Sequence, residues 1–97
     1  MIITAICGHA IGSSFIIGHN VEKILKPFNI QNEVRHADIL NVDYHNSDIF
    51  IIGKDMFRNL NKQGYPRHKF IILNSIVDEQ ELKSKLESLL RDKKIIN

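Results

Sequence analysis

The chain has 97 residues, 13 of them Lys or Arg and 11 Asp or Glu, giving a formal charge of +2; 43% are hydrophobic, with one Cys and no Trp. That length has room for one hydrophobic core and no second one, so a single domain over residues 1–97 is expected. One Cys cannot close an internal disulfide, and zinc frameworks need several Cys and His at fixed spacings, which excludes a stapled secreted scaffold or a zinc ribbon. His19, His36, His45 and His68 share no metal-ligand spacing, so neither a metal nor a cofactor is expected. A reducing, cytoplasmic compartment suits the lone thiol. The interspersed charges create no strong field for nucleic acid. The longest apolar runs, Ile49 to Ile52 and Phe70 to Leu73, are far short of the roughly 20 residues needed to cross a bilayer, so no membrane insertion is expected. The opening Met1-Ile2-Ile3-Thr4 lacks a basic region and a small-residue cleavage site, and reads as a strand rather than a signal peptide.

Apolar segments recur at helix-length intervals, the pattern of β-α units. Ile2 to Ile6 predicts a central strand that stops at Cys7-Gly8. From about Ser13, apolar Ile17, Val21, Ile24, Leu25 and Phe28 recur at three- and four-residue steps, a helix limited by Pro27. Gln31 to Asp38 alternates weakly and suits a half-exposed edge strand. Ile49-Phe50-Ile51-Ile52, ending at Gly53, has the pattern of a strand buried on both faces. Lys54 to Asn61 predicts a short helix, Gly64-Tyr65-Pro66 a turn, and Lys69 to Leu73 another buried strand. In the last segment Asp78 and Glu81 make a capping-box-like start, Leu82, Leu86, Leu89 and Leu90 form one face, and Arg91, Lys93 and Lys94 complement the helix C-terminus.

Alternating strands and helices imply an α/β fold, a parallel sheet with helices on both faces in three layers. Such sheets place ligands beyond the carboxyl ends of the strands, where the strand order reverses, which points to the loop after the first strand. A 2-1-3-4 order would bring Gly53 and Lys54 beside Cys7.

That loop, Cys7-Gly8-His9-Ala10-Ile11-Gly12-Ser13-Ser14, joins a thiol at a strand end to two glycines, two hydroxyls and a helix start. Successive backbone N–H groups of such a loop converge on one point, and the helix N-terminus adds about half a positive charge, a phosphate-binding arrangement. The same partial charges favour thiolate over thiol, so Cys7 is expected to be a nucleophile at neutral pH. A lone Cys is commonly a small buried hydrophobe, but this flanking sequence favours the reactive role. Ser13 and Ser14 fit hydrogen bonds to phosphate oxygens, or a helix cap. His9, if protonated, would attract a phosphorylated partner, whereas a solvated loop tip is its bland alternative.

The octet resembles the phosphocysteine loop of the enzyme IIB components of the bacterial sugar phosphotransferase system, and its Cys-Gly-x-x-x-Gly-Ser-Ser form is most similar to the ascorbate-type branch, with the galactitol type next. Ala10 stands where that branch has Gly, and His9 where Asn is more usual. The resemblance covers nearly the whole chain. It implies a stand-alone IIB domain over residues 1–97 with a four-stranded parallel sheet, Rossmann-like, in the order 2-1-3-4. It also implies that Cys7 accepts a phosphoryl group from a phosphohistidine on a IIA partner and passes it to a sugar, ascorbate-like, bound by a membrane IIC partner. Gly8, His9, Ala10, Ile11, Gly12, Ser13 and Ser14 would surround the phosphate.

Two other readings stand beside it. A thiol opening a phosphate loop also describes low-molecular-weight tyrosine phosphatases and arsenate reductases, whose loops carry an Arg six residues after the Cys; here that position is Ser13, and Arg35, Arg58, Arg67 and Arg91 all lie outside the loop. A hydrolase needs strong charge stabilisation and a general acid, so a loop of mostly backbone donors favours transfer over hydrolysis. A non-catalytic anion-binding regulatory module would use the same cradle. Lys54 would add a cation if the strand order is as expected, and the basic cluster Lys54, Arg58, Lys62, Arg67, His68 and Lys69 reads as a solvated face before a docking surface. With no long apolar stripe unassigned, a monomer engaging its partners transiently is expected.

Overall fold

β-branched residues favour extended backbone because their side chains pack well on a pleated surface, and the Ile-rich runs of this chain become its strands. A computed structural model describes residues 1–8 and 11–97, with backbone only for 11–14. Strand β1 (Ile2–Cys7) is followed by helix α1 (Ile11–Leu25), β2 (Glu33–Asp38), β3 (Ile49–Gly53), the one-turn α2 (Lys54–Phe57), β4 (Phe70–Leu73) and α3 (Glu79–Asp92). The four strands form one parallel sheet in the order β2-β1-β3-β4. This is the α/β fold and the strand order expected.

Side chains alternate across a strand, and the two faces of the sheet are covered differently. Ile3 and Ala5 of β1, Ile49 and Ile51 of β3, and Ile71 and Leu73 of β4 meet Ile17, Val21, Ile24 and Leu25 of α1 and Leu82, Leu86 and Leu90 of α3. The opposite face carries Ile6, Phe50 and Ile52, closed by Leu60 and by half-buried Tyr44, Phe57, Phe70 and Ile72. Phe50 and Phe70 stack with ring centroids 5.2 Å apart, and Tyr65 meets Phe70 edge-on at 5.2 Å. Aromatic side chains and short turns therefore make the thinner of the two outer layers. Thr4, buried on that face, satisfies its hydroxyl with the hydroxyl of buried Ser47.

Several boundaries differ from expectation for local reasons. α1 begins at Ile11 rather than near Ser13, and it ends at Leu25 because Pro27 has no N–H to continue the ladder; Lys26–Phe28 tightens into a 3₁₀ turn closed by left-handed Asn29. α2 stops at Phe57 rather than Asn61. Asn59 and Leu60 donate to the carbonyls three residues back, Leu60 turns into the core, and the Asn61 side chain accepts the Gln63 N–H, which draws the backbone away from the helix. β4 is a sheet edge in which Ile71 and Leu73 are buried and Phe70 and Ile72 only half-buried, because no long helix covers their side. β2, the other edge, has no buried residue, in keeping with its weak alternation.

Half of a capping box opens α3: Asp78 accepts the Glu81 N–H at 3.0 Å. The Glu81 carboxylate does not return to Asp78, whose N–H bonds the Ser75 carbonyl. It accepts the N–H groups of Asn74 at 2.7 Å and Ser75 at 3.0 Å, and Lys85 bridges it to the Ile72 carbonyl. The loop leaving β4 is thereby pinned to α3. The Asn74 N–H, then the Lys85 ammonium and the Ser75 N–H, lower the Glu81 carboxyl to about 2. A carboxyl lowered on folding stabilises fully above its ordinary value near 4.5, and that contribution fades as pH falls toward 2. Glu81→Gln should cost about 2 kcal/mol at pH 7, in the range for hydrogen bonds to charged groups, and should flatten the loss of stability on acidification. Urea unfolding followed by circular dichroism at pH 7 and pH 3 checks both; an unchanged acid slope would contradict the clamp.

Candidate functional site

Because every strand runs the same way, the carboxyl ends of all four open on one edge of the sheet. The chain leaves β1 for β2 on one side and later returns to β3 on the other, so the order reverses between β1 and β3, where parallel sheets leave a crevice. Cys7 is the last residue of β1, and Gly8 follows at this crevice. α1 starts four residues after Cys7, so the N–H groups of its first turn, which includes Ile11, Gly12, Ser13 and Ser14, have no acceptor within the helix. His9 and Ala10 lie outside the described residues.

Cys7 is 9% exposed, and its Sγ donates to the Ala37 carbonyl of β2 at 3.7 Å. The sulfur is tucked against the neighbouring strand. Asp38 is the register partner of Cys7, but its carboxylate accepts the Leu40 N–H at 2.9 Å and serves the turn that follows β2. α1 approaches β2 closely because Gly18 has no side chain: a Cβ there would sit 3.2 Å from Val34 Cγ1 and 3.5 Å from His36 Cε1. One turn earlier, the exposed Phe15 ring lies 4.8 Å from the His36 ring. These contacts set where the start of α1 lies relative to Cys7.

Across the crevice, the strand order brings α2 to the loop after β1. The residue that meets Gly8 is Met56, whose terminal methyl lies 2.5 Å from where a Gly8 Cβ would be. Lys54 is exposed at the first position of α2 and lines a hollow of about 310 Å³ with Gly53, Asp55, Met56, Asn74, Ser75 and Ile76. Of the basic cluster, Lys62 lies 4.5 Å above the Phe57 ring and Lys69 donates to the Ser47 carbonyl at 3.3 Å, so two of its members have contacts within the chain. Among the described residues no group of three metal-ligating side chains comes together, and no helix is long and apolar enough to cross a membrane.

Sequence reasoning singled out Cys7 and Gly8 at the end of β1 and brought Gly53 and Lys54 to this edge, but it started α1 two residues late. It missed Ala37, Asp38 and Met56. Parallel register would have found Asp38 opposite Cys7; the reach of Met56 toward Gly8 is a contact between residues 48 positions apart, which periodicity does not report.

A protein-family model described as the lactose/cellobiose-specific IIB subunit of the phosphotransferase system matches residues 2–88. A comparison with curated proteins found no match.

The single thiol gives a direct check of the site. With Cys7 tucked against Ala37, its reaction with a disulfide reagent should be at least about tenfold slower in the native chain than in urea, since a buried group reacts through local opening. Equal rates would place the thiol in solvent.

Proposed function

The chain belongs to the family of IIB subunits of the sugar phosphotransferase system, and from that premise we propose that it is a cytoplasmic phosphocarrier with Cys7 as its phosphorylated residue. The observation that carries the reading is the position of Cys7, last in β1 at the crevice where the strand order reverses and just ahead of the N-terminus of α1. To react, the thiol gives up its proton and its bond to Ala37. Sulfur attacks the phosphohistidine phosphorus of a IIA partner; the S–P bond forms, the N–P bond breaks, and the released imidazole takes up a proton. In the second step a sugar hydroxyl held by a membrane IIC partner attacks phosphorus, the S–P bond breaks, and Cys7 is regenerated as the hydroxyl proton leaves.

Phosphoryl transfer is catalysed chiefly by positioning and electrostatics. The backbone of Gly8, His9, Ala10, Ile11 and Gly12, with the Ser13 and Ser14 hydroxyls, supplies donors for the three peripheral oxygens in this reading, and Lys54 adds positive charge at the same edge. Ser13 stands where a thiol phosphatase would have its Arg, which suits a carrier that keeps its phosphoryl group until the acceptor arrives. We take the protein to work as one domain over residues 1–97, monomeric or weakly associating, with protein partners and no nucleic acid. The octet Cys7 to Ser14 supports an ascorbate-like sugar. The description of the matching family model favours a second reading, a lactose- or cellobiose-type sugar.

Incubation with phosphoenolpyruvate, the two general phosphotransferase proteins and an ascorbate-type IIA should add one phosphoryl group by intact mass, and Cys7→Ser should add none. Parallel reactions with galactitol- and lactose-type IIA proteins decide the branch by relative rate. Steady phosphate release without an adduct would replace the carrier by a hydrolase.

A further inference from the structure

Gly8 leaves an open side where any other residue would place a Cβ, and Met56 fills it. An ideal Cβ on Gly8 would lie 2.5 Å from Met56 Cε and 3.3 Å from Sδ, so the thioether tail rests on the peptide that follows Cys7. The support behind Met56 is braced. Gly53, immediately before α2, would place a Cβ 3.0 Å from Ile76 Cγ2, and Ile76 follows Asn74 and Ser75, whose N–H groups are held by the Glu81 carboxylate. On its other side Met56 lines the hollow of about 310 Å³ formed with Gly53, Asn74, Ser75 and Ile76. The tail is thus bounded by the Cys7 loop on one side and by free volume on the other.

We infer that Met56 is a positioning residue for phosphoryl transfer at Cys7, an assignment that rests on the carrier reading above. Its tail seats Gly8, and through Gly8 the end of β1 that carries the thiol. A thioether on three rotatable bonds suits this task, because it packs closely yet yields easily. When a phosphoryl group swells the loop, the hollow gives the tail somewhere to go without moving α2. The side chain also offers no proton and no nucleophile to a phosphocysteine, and its bulk displaces water from one side of the loop.

Met56→Ala, Met56→Leu, Gly8→Ala and the Gly8→Ala/Met56→Ala double variant test this, with two readouts and a thermal melt on each. In phosphoryl transfer from IIA, Met56→Ala should lower kcat about tenfold with KM for IIA within about twofold, as for a misplaced reacting group. Met56→Leu should keep kcat within about threefold of wild type, as a volume-conserving swap does. Gly8→Ala pushes the same methyl away, so the double variant should be no slower than either single one, whereas independent effects would multiply. In the second readout, which needs no partner, alkylation of Cys7 by iodoacetamide should be about threefold or more faster in Met56→Ala than in wild type, because a loosened loop opens more often. Wild-type kcat and wild-type alkylation in Met56→Ala would overturn the assignment, as would a loss of kcat that simply tracks melting temperature across the set. If the wild type accepts no phosphoryl group at all, the carrier reading fails, and the alkylation rates alone decide whether Met56 seats the Cys7 loop.

Discussion

The parallel pairing of β1 between β2 and β3 is the constraint on which the rest depends. It buries β1 at the centre of the sheet, fixes its carboxyl end beside those of its neighbours, and leaves Cys7 at the one crevice where the chain reverses its direction of winding. Parallel strands require crossovers: α1 begins four residues after Cys7, so its N-terminus lies at the same edge, and its length carries the chain back to the opposite edge where β2 starts. A thiol at a strand end and a helix N-terminus are thus neighbours through topology, with little demanded of any particular side chain.

The two faces of the sheet divide the work. α1 and α3 cover one face with a continuous aliphatic layer, and Lys23 and Glu79 bridge the two helices at 3.2 Å on the surface. The other face is closed by a one-turn helix, 3₁₀ turns and a cluster of aromatic rings. The thin layer ends at the crevice: α2 follows β3 directly, and its Met56 reaches the loop after β1. The Glu81 and Lys85 clamp holds the loop after β4 against the same region. The clamped Asn74 and Ser75 share a hollow with Met56, so the bracing of the β4 exit extends to one wall of that hollow.

The fold was legible because its signals are strong and local. Ile49 to Ile52 reads as a strand buried on both faces and is one; the Leu spacing of residues 82 to 90 reads as a helix face and buries Leu82, Leu86 and Leu90. The octet from Cys7 to Ser14 pointed to the IIB subunits of the phosphotransferase system, as the matching model does, but to the ascorbate-type branch where that model is described as lactose/cellobiose-specific. What escaped the sequence depends on contacts distant along the chain. The extent of α2 is decided by Leu60 turning into the core, the environment of the Cys7 thiol by a carbonyl 30 residues away on β2, and the seat of Gly8 by Met56 across the crevice. Periodicity reports which residues face inward, and it is silent on which of them meet.

The most direct test of the account is where the phosphoryl group resides. Phosphorus NMR of the chain, phosphorylated through its IIA and the general phosphotransferase proteins, distinguishes an S-phosphoryl group from the N-phosphoryl group of a histidine by chemical shift. The account predicts a single S-phosphoryl signal, absent in Cys7→Ser and discharged when membranes carrying IIC and sugar are added. A signal of the histidine type, or one that persists in Cys7→Ser, would contradict it.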